Sequence, residues 1–449
     1  MATVEQGCLF VKAGSDRDEA EQPGRAPASA CAAGARSGGG AALGNLPKSI
    51  GQIREVVDEK TGEIQRFRLD LKRREYVPIV DDATAVNEAR SGRFLLQKVS
   101  RKVLKGSLNP RGMDWRVIGC THRRVAAEVA VLKNKGTQRA RFGGLRICGS
   151  VWTCPVCAAK ISEHRRGEIH AATDTHVAAG GGLYMLTLTF SHKRADHVAL
   201  LVKALKRALK LLRDHRTYKQ CKQYIDYVGL IRALEVTYGD ANGWHPHVHE
   251  LWLTAKKLSR AQLRLVQKEI FEAWRVACVS AGLGEPNRKQ GVTFIEAESA
   301  QEYVVKFGRE PKWGVGSELA KSHTKKGRMA SMTPFDLLRL AGEGDGRAAA
   351  LFETFAQAFY GSRQLFWSRG LKKLFGIDEV SDEEAAELEE GEAELVTRLS
   401  AVEWRAVLRQ PYDSRGLVLE LAENGGVEAV REYVEGLVLV KKKISGALA

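Results

Sequence analysis

Between residues 183 and 310 the apolar positions switch repeatedly between a two-residue and a helical period, and each switch marks an element. "LYMLTLTFS" (183–191) has the composition of a strand, whereas "HVALLVKALKRALKLLRDHR" (197–216) repeats Leu and Ala at helical spacing with Lys and Arg on the opposite face. "DYVGLIRALEVTY" (226–238) and "WHPHVHELWLT" (244–254) read as two strands joined by "GDANG", a turn of residues that tolerate positive φ. A helix over 259–282 closed by Gly282, a strand over 291–297 and a short helix over 299–307 complete the order β-α-β-β-α-β-α. Upstream, "VDEKTGEIQRFRLDL" reads as a hairpin around Lys60-Thr61-Gly62 and "RSGRFLLQKVSRKVL" as a basic amphipathic helix.

Six consecutive elements in that order predict an α+β fold with a ferredoxin-like, split βαβ core. Its first and third strands occupy the centre of an antiparallel sheet, which sets the histidine-bearing strand beside "LYMLTLTF". The chain divides into a disordered leader rich in Ala, Gly and Ser (1–48), a basic N-terminal region (49–116) and a small cysteine-containing subdomain (117–170). The core domain (171–310), a basic region (311–377) and an acidic, helical C-terminal region (378–449) follow.

The strand carries His245, His247 and His249 at alternate positions, so the three imidazoles share one face. With the hairpin turn centred on Ala241, Glu235 stands opposite His247 on that same face. A carboxylate beside imidazoles suits a divalent cation of the Mg or Mn type, or Zn, with positions left for a substrate oxygen. Hydrogen-bonded structural histidines are the alternative. In the helix that follows the last strand, "SAQE" is a capping box in which Ser299 and Glu302 fix the start. Tyr303 then stands in the first turn with Lys306 three positions on, on one face. A tyrosine hydroxyl, with a pKa near 10, attacks poorly unless its target is polarised; a metal on a phosphate oxygen does this, and an ammonium steadies the developing charge.

Cys148, Cys154 and Cys157 lie in "CGSVWTCPVC", whose Cys-x-x-Cys step is a zinc knuckle. The fourth ligand is Cys120, brought back by two strands over 123–148, or His164. Such a site is structural, because four protein ligands leave no open position; buried, unpaired cysteines are the alternative.

Charge extends the picture. The 449 residues carry a formal net charge of +16, yet "DEVSDEEAAELEEGEAELV" (378–396) holds ten acidic and no basic side chains, so the rest carries +26. That field attracts a polyanion. Lys203, Lys206, Arg207, Lys210 and Arg213 line the polar face of the 197–216 helix. The loop after the tyrosine helix is the stronger candidate DNA contact, with Lys312, Trp313, Lys321, Lys325, Lys326 and Arg328. Membrane association is not expected, since no apolar run reaches the roughly 18 residues that span a bilayer, and with no basic-then-apolar N-terminus the protein is expected in the cytoplasm.

"HPHVH", preceded by "YMLTLTF" and followed by "YVVKF", resembles the three ordered motifs of HUH endonucleases, and within them the rolling-circle initiators of small bacterial plasmids. The resemblance runs from about Cys120 to Glu384 and includes "CGSVWTCPVCAAKI" and "GSRQLFWSRGLKKLFGI". It implies cleavage of one strand of single-stranded or supercoiled origin DNA, with tyrosine joined to the 5′ phosphate and a 3′ hydroxyl freed as primer. In this chain His247 and His249 match the metal pair, Tyr303 the nucleophile and Lys306 the accompanying lysine. Phe307 stands where some initiators carry their tyrosine. A host helicase and DNA polymerase are the implied partners, as the chain has no Gly-x-x-x-x-Gly-Lys loop of its own. A histidine-triad nucleotide hydrolase and a zinc-containing DNA-binding regulator without catalysis are the rival readings.

Overall fold

The computed structural model describes residues 53–57, 64–70, 75–78, 82–297, 331–388, 391–410 and 413–446. The leader, the Lys60-Thr61-Gly62 turn, the whole 299–307 helix and the 311–330 basic loop lie outside them. Two compact units divide at Ile79 and Val80. In the first, β1 (Ile53–Val57), β2 (Ile64–Asp70) and β3 (Glu75–Pro78) form an antiparallel meander in sequence order. Val57 pairs with Ile64, so the strands flank the expected hairpin turn.

The second unit opens with α1 (Asp82–Leu104), the hairpin β4 (Val129–Asn134) and β5 (Ala140–Gly143), and α2 (Pro155–Ala178). The alternating region then gives β6 (Gly182–Leu188), α3 (Val198–Asp214), α4 (Arg216–Tyr224), β7 (Tyr227–Gly239), β8 (Gly243–Thr254), α5 (Arg260–Ala281) and β9 (Val292–Glu296). Helix α5 starts on a Ser259–Gln262 capping box and ends at Gly282, whose φ of 84° closes the last turn. The chain continues through α6 (Pro334–Gly342), α7 (Gly346–Phe359), β10 (Leu365–Trp367), α8 (Leu371–Leu374) and α9 (Asp382–Glu387). It closes with β11 (Ala393–Leu399), α10 (Ala401–Arg409), α11 (Arg415–Asn424) and α12 (Gly426–Gly446).

Five strands form one antiparallel sheet in the order β10-β7-β8-β6-β9. The histidine strand β8 is central, between β6 and β7, as its position in the element order requires. Strand period decides what each face meets. Val248, Trp252 and Leu230 point to the side packed by Leu201, Leu205 and Leu209 of α3 and by Ile270 and Trp274 of α5. Leu251, Leu253, Ile231 and Met185 point the other way and share a cluster with Ile169 of α2 and Leu371 of α8. His247 and His249 lie on this second face by the same alternation.

A buried ion pair stiffens β8 next to the histidines. Glu250, completely buried, accepts from Arg232 of β7 at 2.6 Å, from Trp252 Nε1 at 2.8 Å and from the Tyr218 hydroxyl at 3.2 Å. Burial pushes its carboxyl up, but the Arg232 charge and the Trp252 hydrogen bond prevail and hold it below the usual range. Losing either partner would strand a buried charge, at a cost of about 3–5 kcal/mol.

The strand pairing departs from the sequence expectation in two places, besides the additional helix α4 before β7. The sheet reaches past residue 310, because β10 pairs with β7 through Leu365 and Ala233. The C-terminal region, expected as helical, also contributes β11, which pairs with β4 beside β5. That small sheet packs Val129, Val131 and Leu399 against Trp404, Val418 and Val430 of the last helices. Long-range pairing of this kind leaves little local signal, and the carboxylates of 378–396 mask the alternation that β11 begins.

Candidate metal centres

The hairpin turn brings the first candidate centre together. Gly239 pairs with Gly243, whose φ of 75° and proximity to the Arg194 carbonyl leave no room for a side chain. With the turn so placed, Glu235 pairs with His247. Glu235 Oε2 lies 3.4 Å from His247 Nε2 and 3.5 Å from His249 Nε2.

Each imidazole is fixed through its other nitrogen. His247 Nδ1 donates to the His245 carbonyl at 3.1 Å, which turns Nε2 toward Glu235. His249 Nδ1 is 2.9 Å from the Thr187 hydroxyl on β6. A second partner on each ring is what orients metal-binding histidines. The centre is largely screened from solvent, His249 being only 8 % exposed. Burial raises the Glu235 carboxyl, but hydrogen bonds and charge from His247 and His249 outweigh this and hold it at about 2.

Glu235 Oε1 is buried without a hydrogen-bond partner. A carboxylate oxygen left so is costly unless a cation completes it. Adjacent ligands of one ion bound at about 2.0–2.2 Å lie roughly 3.0–3.6 Å apart, the spacing found here. His247, His249 and Glu235 therefore fit a divalent cation, with one or more sites left to a substrate oxygen.

His245 stands apart from this group. Its Nδ1 is 2.8 Å from His192 Nε2, its ring stacks on His247 at 5.0 Å, and burial, with the neighbouring His247 and His192, lowers its pKa to about 4. The alternation that puts it on the same face carries it one step beyond reach of Glu235. His192 and Thr187 escaped sequence reasoning. Thr187 occupies an alternate position in "LTLTF", but its opposition to His249 depends on the β6–β8 register, which no local pattern encodes.

The second candidate centre is the cysteine cluster. Cys120, Cys148, Cys154 and Cys157 are all buried, with their sulfurs within 4.8 Å of one another. Cys120 Sγ is 3.5 Å from Cys157 Sγ and 3.7 Å from Cys154 Sγ, and Cys148 Sγ is 3.6 Å from Cys157 Sγ. Four thiolates at 2.3 Å from one ion form a tetrahedron with edges of about 3.8 Å. Cys120 completes the set, whereas His164 turns to Glu168, 3.2 Å away.

Two donors face the sulfurs: the Ser150 backbone N–H reaches Cys148 at 3.5 Å and Gln97 Nε2 reaches Cys154 at 3.1 Å. The amide oxygen of Gln97 accepts from Thr121 at 2.8 Å and from the fully buried Arg415 at 2.7 Å, which turns its NH₂ toward the sulfur. Arg415, far along the chain on α11, was not visible as part of this centre from sequence. Hydrogen bonds from Cys120, Cys148 and Cys154 pull the Cys157 thiol well below its ordinary value, while burial pushes Cys154 well above it.

Tyr303 and Lys306 lie outside the described residues, as do Lys312, Trp313, Lys321, Lys325, Lys326 and Arg328. On α3, Lys203, Lys206, Arg207, Lys210 and Arg213 occupy the exposed face.

Residues 144–412 match a family model described as replication protein. "Protein rep" of Streptomyces lividans is 29% identical, with 60% of this chain and 74% of that protein aligned. A "Neomycin resistance protein" of Streptomyces cyanogenus is 31% identical over a shorter stretch, 24% of this chain and 31% of the relative. No solved structure matches.

Proposed function

The chain belongs to the replication-protein family, and from that premise we propose that it starts rolling-circle replication of a plasmid by cutting one strand at the origin. The observation that carries this reading is the convergence of His247, His249 and Glu235 at one end of a central strand. The strand order β9-β6-β8-β7 is that of a ferredoxin-like core, which supports assignment to the HUH endonucleases.

His247, His249 and Glu235 would hold Mg or Mn, which would supply Lewis-acid polarisation of the scissile phosphate. Thr187 and the His245 carbonyl keep the two imidazoles in place, and His192 steadies His245. Tyr303 is the nucleophile and Lys306 the accompanying cation. Thr293 on β9 pairs with Thr187, so Ala297 lies about 13 Å along the strand from that level. Two extended residues and the first turn of the 299–307 helix reach about 13 Å, which lets the Tyr303 side chain return toward the histidines. The cations and Trp313 of the following loop contact the displaced strand. The partners are single-stranded and supercoiled origin DNA with a host helicase and DNA polymerase in the cytoplasm. Among the described residues no helix is long and apolar enough to cross a membrane.

The test is incubation of purified protein with a supercoiled plasmid bearing its origin. Open circles should form with Mg or Mn and not with chelator. Nucleotide hydrolysis without nicking would favour the histidine-triad reading, and binding alone a regulator.

The cysteine cluster holds a structural Zn. Elemental analysis of the protein should give about one zinc per chain, retained when the nuclease metal is dialysed away. Cys154→Ser should release it and lower the melting temperature by about 5–10 °C, since metal binding is part of the folding free energy. Full zinc content and unchanged melting in that variant would remove the assignment.

A further inference from the structure

Gln97 of α1 and Arg415 of α11 stand behind Cys154, and all three are completely buried. A buried amide has to satisfy both its oxygen and its NH₂. The Gln97 oxygen accepts from Arg415 at 2.7 Å and from the Thr121 hydroxyl at 2.8 Å, while its nitrogen lies 3.1 Å from Cys154 Sγ. A guanidinium only donates, so the Gln97 atom that meets it must be the oxygen, and the NH₂ is left to the sulfur. Cys154 is then the acceptor, which is the role of a thiolate.

Arg415 is fixed in its own orientation. Its Nε gives to Asp413 at 2.8 Å, one terminal nitrogen to Gln97 and the Thr121 hydroxyl, and the other to Asp413 and to the Phe94 carbonyl at 3.2 Å. All five donors are thereby engaged. The Phe94 ring centre lies 4.4 Å from the guanidinium carbon, a cation–π contact that holds the plane in place. Because Asp413 balances its charge, Arg415 acts as an orienting group and not as a counter-ion for the sulfurs.

Four buried thiolates on one divalent cation carry a net charge of about −2, and N–H donors to sulfur are what disperse it in a site closed to water. Gln97 supplies one of them. We propose that Gln97 and Arg415 are positioning residues of the cysteine centre, taken as the zinc site inferred above: Gln97 holds the Cys154 thiolate through its N–H, and Arg415 fixes the direction of that amide. Gln97, Thr121, Asp413 and Arg415 all lie outside the 144–412 stretch that matches the replication-protein family. The matched stretch does not by itself contain this support.

The test uses full-length protein loaded with zinc or with Co(II), whose sulfur-to-cobalt charge-transfer band moves to longer wavelength when a thiolate loses a hydrogen bond. Gln97→Met keeps the length of the side chain without the N–H, and Gln97→Glu keeps an acceptor for Arg415 without the N–H. Both should move the band to longer wavelength and weaken zinc binding about 10–100-fold in competition with a chelator. Arg415→Lys keeps the charge but cannot serve Gln97, Thr121, Phe94 and Asp413 together, so it should move the band the same way. Glu423→Gln is the control on α11: the partners of Glu423 are Arg90 at 2.6 Å and Arg139 at 3.5 Å, so this variant should melt earlier yet keep the wild-type band and affinity. A wild-type band and affinity in Gln97→Met or Arg415→Lys, or an equal loss in Glu423→Gln, overturns the proposal and leaves the zinc reading standing. A wild type that takes up neither zinc nor Co(II) removes that reading, and the positioning role with it.

Discussion

Replacing His247 or His249 with alanine is expected to abolish strand cleavage while origin binding survives. Each substitution removes one of three ligand atoms around a single point, and Glu235 is left with a buried oxygen and one imidazole. Polarisation of the phosphate then disappears, and a fall of about 10³-fold or more in the cleavage rate follows. Affinity for the strand comes from cations elsewhere and should change less than about threefold. His245→Ala should cost only about tenfold, because His245 acts through its carbonyl, which the variant keeps, and through its ring stacked on His247. Thr187→Val removes the hydroxyl that holds His249 and should cost about 10–100-fold, with weaker Mn binding by calorimetry. Unchanged cleavage in both ligand variants at limiting metal would remove the site.

The contrast between His249 and its supporting groups shows what the chain discloses locally. The three histidines, Glu235 and the hairpin register follow from a period of two and a turn of Gly, Asp and Asn, features contained within some twenty residues. Cys148, Cys154 and Cys157 are legible for the same reason, and Cys120 because a hairpin returns the chain to them. Thr187, His192, Gln97 and Arg415 are not, since each meets its partner across an interface whose register is set by side-chain packing. Arg415 reaches Gln97 across more than three hundred residues, and nothing near "DSRGLVLEL" signals a role beside a metal. The strand order was readable from the element order, whereas β10 and β11 depended on pairings from beyond the 183–310 pattern.

Tyr303→Phe is expected to leave the metal centre and DNA binding intact while abolishing the covalent product. In the proposed reaction the Tyr303 Oη gives up its proton and forms a bond to the scissile phosphorus, the bond from phosphorus to the 3′ oxygen breaks, and that oxygen takes up a proton as the 3′ hydroxyl, so that no net proton is gained or lost. The energy of the broken phosphodiester is kept in the phosphotyrosine bond, available for rejoining; hydrolysis would keep nothing and leave no adduct. Phenylalanine removes one oxygen and little else, so the Ser299–Glu302 capping box read from the sequence is untouched. Lys306→Ala should slow the reaction by about 10–100-fold without ending it, because a charge that steadies the developing phenolate is less essential than the attacking atom. The two variants therefore separate chemistry from electrostatic help. The measurement is digestion of the protein–DNA product and mass spectrometry of the modified peptide. An adduct on another residue, or wild-type adduct yield in Tyr303→Phe, would transfer the role elsewhere, first to Tyr360, whose ring packs edge-on against Trp115 at 5.8 Å with Arg111 above it.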